Sequence, residues 1–329
     1  MQYIPSKLQI ETVNRFCNAR CGMCTIKFLP DFEQTTSDDQ SYRGTARKAE
    51  IMSLETFKII AAKFEPFAAD IKVLDLYGCG EPLMDRTLPE KIIFAKSVGF
   101  KEIGFTSNCG LLRKDLAHKL LEAGLTCIIP SIDGTTAEVH EAIRPRTHLD
   151  EIIENVKYFI KARDEGDHKC RILVRMIRQQ LNRDQWDEYR EFWSALLDSE
   201  KGDRVLQFDI HNTGGKIEGY DAMKVDGYER MKEKFDEDYK TSNAGVCPDL
   251  FSRLIIFASG DVGLCAADQA EYFKLGNVLN EDPMEIFNNK QFTEYREKWL
   301  GKKYMDLKYC RDCTIAISRY YKSNHALNS

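Results

Sequence analysis

The sequence predicts an α/β protein: a parallel sheet curled into a partial (β/α)6 barrel of the TIM type, with a small C-terminal module behind it. Three observations predict this. Six short apolar stretches alternate with helical patterns between Leu8 and Ile210, the order that builds parallel sheets. The loops after several of these strands carry the chemically reactive residues, and ligands of such sheets sit at the strands' carboxyl ends. A length of 329 residues suits two domains, or one barrel with an extension.

The alternating stretch Leu8 to Val13 is the first strand, and a cysteine-rich loop follows it. Asp31 to Glu50 is polar, rich in Thr, Ser, Asp and Gln, and reads as a surface excursion. Ser53 offers an N-cap to a helix on which Leu54, Phe57, Ile60, Ala61 and Phe64 recur, stopped by Pro66. Ile71 to Tyr77 is a strand ending in Gly78-Cys79-Gly80-Glu81-Pro82, and a helix from Leu88 to Val98 closes at Gly99. Lys101 to Thr106 is the next strand, with Ser107-Asn108-Cys109-Gly110 behind it and a helix from Arg113 to Ala123. Thr126 to Ile132 ends in Asp133-Gly134, and helical patterns cover Ala137 to Ile143 and Leu149 to Arg163. Arg171 to Ile177 and Val205 to Ile210 are two further strands, flanking a helix from Trp186 to Leu197. Composition places the barrel at residues 1–215, a polar linker without strand alternation at 216–245, and the last module at 246–329.

Composition narrows the class of function. Hydrophobic residues make up 43% and charged residues 30%, ordinary for a soluble globular chain. No run approaches ~18 apolar residues, so no membrane span is expected. Met1 to Pro5 lacks the basic and apolar regions of a signal peptide, which points to the cytoplasm. A net charge of −5 gives no electrostatic case for nucleic acid. Eleven cysteines in such a chain point to metal or redox chemistry rather than a disulfide framework.

The opening trio, Cys17, Cys21 and Cys24, lies on one polar loop. Thiolates are soft ligands that select iron–sulfur clusters, zinc or Cu(I). Three of them can hold three corners of a cubane and leave the fourth iron open. A zinc knuckle would want a fourth Cys or His nearby, and the next candidate is the distant Cys79. Three core cysteines at this spacing are the blandest alternative, though the surrounding residues are polar.

The run Cys17-Asn18-Ala19-Arg20-Cys21-Gly22-Met23-Cys24 resembles the CxxxCxxC loop of radical S-adenosylmethionine (radical SAM) enzymes. The resemblance implies a 4Fe–4S cluster whose open iron binds SAM, and cleavage of SAM to a 5′-deoxyadenosyl radical that abstracts hydrogen from a substrate. Cys79-Gly80-Glu81-Pro82 is similar to the family's GGEP turn, with Cys79 in place of the first glycine, which implies that Gly80 and Glu81 contact the SAM amino group. Ser131 and Arg144 match positions that hold the SAM carboxylate, a task suited to a guanidinium. Met23 stands where the family has an aromatic against adenine.

Cys247, Cys265, Cys310 and Cys313 resemble the Twitch module, a shortened SPASM domain, and imply a fully ligated auxiliary 4Fe–4S cluster; a zinc site held by the same four thiolates is the rival. Cys127 and Cys170 read as core residues. Cys79 and Cys109 are expected at strand tops facing the cavity, as candidate hydrogen donors to a substrate radical. Arg175 and His211-Asn212-Thr213 are candidate substrate contacts.

The expected activity is a radical SAM oxidoreductase acting on a small molecule, sugar- or aminocyclitol-like, by dehydrogenation or epimerisation. A flavodoxin- or ferredoxin-type protein would donate electrons. The first strand begins near Leu8, leaving no room for a leader-recognition domain, which favours a small molecule over a long peptide. Peptide modification, of the epimerase, thioether-forming or sulfatase-maturase kind, is the alternative within the class. A non-catalytic iron–sulfur or zinc electron-transfer protein is the alternative outside it.

Overall fold

The computed structural model describes residues 2–28, 47–214, 217–225, 228–241, 246–269, 271–311 and 313–315. Among the described residues ten strands form: β1 Lys7–Ile10, β2 Val13–Asn14, β3 Glu50–Ile51, β4 Val73–Asp75, β5 Ile103–Ser107, β6 Cys127–Pro130, β7 Arg171–Arg178, β8 Arg204–Asp209, β9 Arg253–Ile256 and β10 Val262–Gly263. Eight of them make one sheet in the order β10-β9-β1-β4-β5-β6-β7-β8, and every pairing is parallel except β10 with β9. Among the described residues β8 and β10 end the sheet without pairing to each other, so it is a mostly parallel, open sheet rather than a closed barrel.

Register assigns the two faces. Leu8, Ile10, Leu74, Leu76, Ile103, Phe105, Ile128, Ile172, Val174 and Met176 are all at 0% exposure and form the core with the surrounding helices. The other face follows the pairs Gln9↔Asp75, Asp75↔Gly104, Thr106↔Ile129, Ser131↔Arg175 and Lys7↔Arg253. Asp75, Tyr77, Thr106, Ile129 and Arg175 on this face are only half-buried. This face thus carries a half-buried mixture of polar and apolar side chains, unlike the filled core of an eight-stranded barrel.

The helices start and stop where their termini dictate. Ser53 caps Leu54–Ala62 by accepting from Thr56 N at 3.0 Å. Leu88–Val98 ends at Gly99, whose φ of 108° lets the chain turn without a Cβ clash.

Two expectations need correction. The expected first strand, Leu8 to Val13, divides: β1 enters the main sheet, and β2 leaves it to pair with β3. Neighbours on both edges bury Leu8, Gln9 and Ile10 alike, so the burial does not alternate. Of the polar excursion, residues 31–46 lie outside those described, but its last part is structural: Arg47 is buried and Glu50 begins β3. The stretch expected as a polar linker carries two helices, Tyr220–Met223 and Tyr228–Lys240, and Phe235 is buried edge-on against Tyr304 at 5.8 Å. Tyr228, Met231, Phe235 and Tyr239 recur near helical spacing in this otherwise charged stretch.

Candidate active site and cysteine clusters

The cysteine loop leaves β1 and β2 and is tied to the turn after β4. Arg15 N donates to the Cys79 carbonyl at 2.5 Å, and Glu81 N donates to the Phe16 carbonyl at 2.8 Å. Close approach explains the turn's glycines. A Cβ on Gly80 would come within 2.5 Å of the Val13 carbonyl oxygen, and one on Gly78 would strike the Glu11 side chain.

The three thiols sit close enough to feel one another's charge, and burial pushes all three up, Cys17 to about 11. Thiolate ligation to iron would relieve that penalty. Among the described residues no three His, Cys, Asp or Glu side chains gather tightly enough to chelate a single ion. A cubane asks for something else, one thiolate at each of three separate corners. A loop whose three thiols lie within reach of one another's charge, Cys21 buried and Cys17 and Cys24 half-buried, fits that group.

Glu81 is buried and fully engaged. It accepts from Ser107 Oγ at 2.7 Å, Leu83 N at 3.1 Å and Asn108 N at 3.0 Å, while burial raises its pKa. Ser131 Oγ accepts from Arg175 Nη2 at 2.8 Å. Arg144 forms an ion pair with Asp133 at 2.7 Å and points Nη1 at Cys21 Sγ, 3.6 Å away. Met23 is half-buried on the loop. Arg144 thus touches the trio at Cys21 and Glu81 lies near enough to act on the charge of Cys17, although both already carry internal partners.

Cys79 and Cys109 part company. Cys79 Sγ lies 3.3 Å from Gln269 Oε1 and 3.5 Å from Thr25 Oγ1, between the cysteine loop and the C-terminal module. Cys109, expected to face the cavity, is at 0% exposure within the apolar core. Its φ of 58° closes the turn through Ser107 and swings the thiol inward. Cys127 and Cys170 are buried. His211 and Asn212 meet the C-terminal module, with Asn212 N donating to Thr314 Oγ1 at 3.0 Å and Thr314 Oγ1 3.4 Å from His211 Nδ1.

The four C-terminal cysteines converge. Cys247 senses Cys310 and Cys313, and Cys265 senses Cys313 and Cys247. Burial raises Cys247, Cys265 and Cys310, the last to about 12. Four such thiols suit an auxiliary cluster.

Sequence reading missed the ionic framework. Arg47 pairs with Glu11, donates to the Gln269 carbonyl at 2.8 Å and stacks 4.1 Å above the Phe257 ring. Glu11 also accepts from Cys79 N at 2.8 Å and Ala258 N at 3.1 Å. Arg253 reaches Asp75 at 2.9 Å, Asp249 at 3.3 Å and Gln9 at 3.0 Å. A carboxylate inside an apolar strand was the one available signal, at Glu11 and Asp75.

Comparison with known proteins matches residues 12–176 to the Radical SAM superfamily and residues 247–314 to SPASM, an iron-sulfur cluster-binding domain. A probable GTP 3′,8-cyclase of Saccharolobus islandicus (strain Y.N.15.51 / Yellowstone #2) is 31% identical over 146 residues, covering 44% of this chain and 41% of that protein. The GTP 3′,8-cyclase of Staphylococcus carnosus (strain TM300) is 28% identical over 237 residues, covering 70% and 62%. The matched regions thus span less than two thirds of these relatives. Among solved structures, BtrN in complex with AdoMet and 2-DOIA superposes with a TM-score of 0.58 at 14% identity, covering 95% of this chain and 94% of that one. Streptococcus suis SuiB bound to S-adenosylmethionine gives 0.61 at 14%, covering 96% and 72%; both likenesses concern the fold. The chain belongs to the radical SAM superfamily, an enzyme class that works with SAM and a 4Fe–4S cluster, and it carries an iron–sulfur-binding SPASM module at its C-terminal end.

Proposed function

We propose that the enzyme abstracts a hydrogen atom from a small polar molecule, sugar- or aminocyclitol-like, bound on the inner face of the sheet, and completes its oxidation or epimerisation. The observation that carries this reading is a band of polar side chains on that face. Gln9, Asp75, Tyr77, Thr106, Ser131, Arg175 and Arg253 share it below the cysteine loop. Thr106 Oγ1 and Arg175 Nε are buried there without a hydrogen-bond partner. Buried polar groups want partners, and a hydroxyl-rich ligand supplies them.

Cys17, Cys21 and Cys24 would hold the SAM-binding cluster, and Cys247, Cys265, Cys310 and Cys313 the auxiliary one. When bound, these groups supply the radical initiator and an electron acceptor. Gly80, Glu81, Ser131, Arg144 and Met23 would line the SAM site, with Glu81 fixing the loop after β5 through the Asn108 backbone. Arg175, held by Ser131, would orient the substrate. A flavodoxin- or ferredoxin-type donor, or a chemical reductant, would supply the first electron.

Anaerobic reconstitution followed by SAM and dithionite tests the core of this reading. Formation of 5′-deoxyadenosine is expected, and its increase with sugars or aminocyclitols rather than peptides identifies the substrate class. Stimulation only by peptides would sink the small-molecule reading. Cys79→Ala separates the two outcomes of catalysis: a dehydrogenase keeps its product, whereas an epimerase that uses this thiol as its hydrogen donor stalls.

A further inference from the structure

Two of the three thiols on the cysteine loop have a side-chain N–H donor aimed at their sulfur, and neither donor belongs to the loop. Arg144 Nη1 lies 3.6 Å from Cys21 Sγ, and Asn108 Nδ2 lies 3.7 Å from Cys17 Sγ. These are hydrogen-bond distances for an atom as large as sulfur. Both side chains are buried, at 8% and 5% exposure.

Both are also held from behind. Asp133 Oδ2 accepts from Arg144 Nε at 2.7 Å, and its Oδ1 accepts from Ile177 N at 2.7 Å. Asn108 exchanges amide contacts with Asn18 at 2.8 and 3.3 Å, and its Oδ1 accepts from Gly110 N at 2.9 Å. Rotating either donor away would strand buried polar atoms.

We infer that Arg144 and Asn108 are positioning residues that raise the reduction potential of the cluster held by Cys17, Cys21 and Cys24. The inference rests on the reading of that trio as a cluster site. An N–H···S bond withdraws charge from a ligating thiolate and so favours the more negative, one-electron-reduced cluster. Arg144 adds a formal positive charge in contact with the sulfur, and Asp133 behind it offsets that charge only in part. Two of the guanidinium's nitrogens are thus committed to Asp133 and Cys21, so tuning of the cluster is a task Arg144 performs before SAM arrives.

The test is an EPR-monitored redox titration of the reconstituted full-length protein, following the signal that changes on SAM addition. Arg144→Gln is expected to favour the oxidised cluster about tenfold, about 59 mV more negative for one electron. Arg144→Lys, which keeps the charge, recovers at least half of that shift. Asn108→Ala moves the potential in the same direction by less. The inference is overturned if the Arg144→Gln potential equals that of the unaltered protein, or if Arg144→Lys shifts as far, as loss of a merely structural contact would do. Should Arg144→Gln fail to take up iron, Asn108→Ala decides, and an unchanged potential there overturns the inference. Failure of the underlying reading looks different: the unaltered protein would form no cluster that responds to SAM.

Discussion

His140 shows how one buried side chain stiffens the segment that carries Asp133 and Arg144. Its Nδ1 accepts from Asp133 N at 3.1 Å and its Nε2 lies 3.2 Å from Thr147 Oγ1, so the neutral ring is the one that fits. Burial, with Arg144 nearby, lowers its pKa from 6.5 to about 4. The unfolded chain therefore binds a proton that the folded chain refuses between those values, and stability falls as pH drops from about 6.5 towards 4. The contribution is on the order of 3 kcal/mol across the window. His140→Gln should flatten that part of the pH–stability curve, as chemical denaturation at pH 7 and pH 5 would reveal. A slope equal to that of the unaltered protein would refute the assignment. At the cysteine loop, Cys21→Ala is expected to abolish 5′-deoxyadenosine formation and remove about four irons per chain.

At the scale of elements, the junction of β9, β1 and β4 decides how the two halves meet. β9 comes from the C-terminal module yet pairs parallel with β1 over four residues, so the module's first strand continues the main sheet. Arg253 on β9 stitches the junction through Asp75 and Asp249, with side chains only 8%, 13% and 4% exposed. Arg253→Ala would leave two buried carboxylates without their cation, which costs about 3–5 kcal/mol in comparable cases. The denaturation midpoint should fall accordingly. The double variant Arg253→Met with Asp75→Asn should recover part of the loss, because it removes one of the uncompensated charges as well. Equal midpoints for the single variant and the unaltered protein would dismiss the stitch.

For the whole molecule, the open sheet brings Cys265 of the C-terminal module to one small cavity with Gln9, Glu11 and Cys79. Glu11 binds the backbone of the β4 turn through Cys79 and of the β9 end through Ala258, and Arg47 joins it to Gln269 beside the auxiliary cysteines. Cys310→Ala is expected to halve the iron from about eight to about four per chain while leaving SAM cleavage intact and abolishing substrate oxidation. Iron analysis and product assay measure the two effects separately. Retained substrate oxidation would mean that the auxiliary site has no redox part. Among the described residues no helix is long and apolar enough to cross a membrane.

By itself the sequence determined the strand–helix alternation and singled out the two cysteine sets proposed as cluster ligands, because local periodicity and motif spacing act over a few residues. Helix bounds such as Leu88–Val98 and Ala137–Ile143 follow from caps and glycine stops in the same way. Tertiary structure decided what depends on partners far apart in the chain. Only folding brings Arg47 to Glu11, Arg253 to Asp75 and Arg144 to Cys21, and only the turn at Cys109 sends that thiol into the core rather than the expected cavity. Charges buried in pairs leave little trace, since the cations Arg47, Arg144 and Arg253 each read as ordinary surface residues until the fold excludes water from both partners.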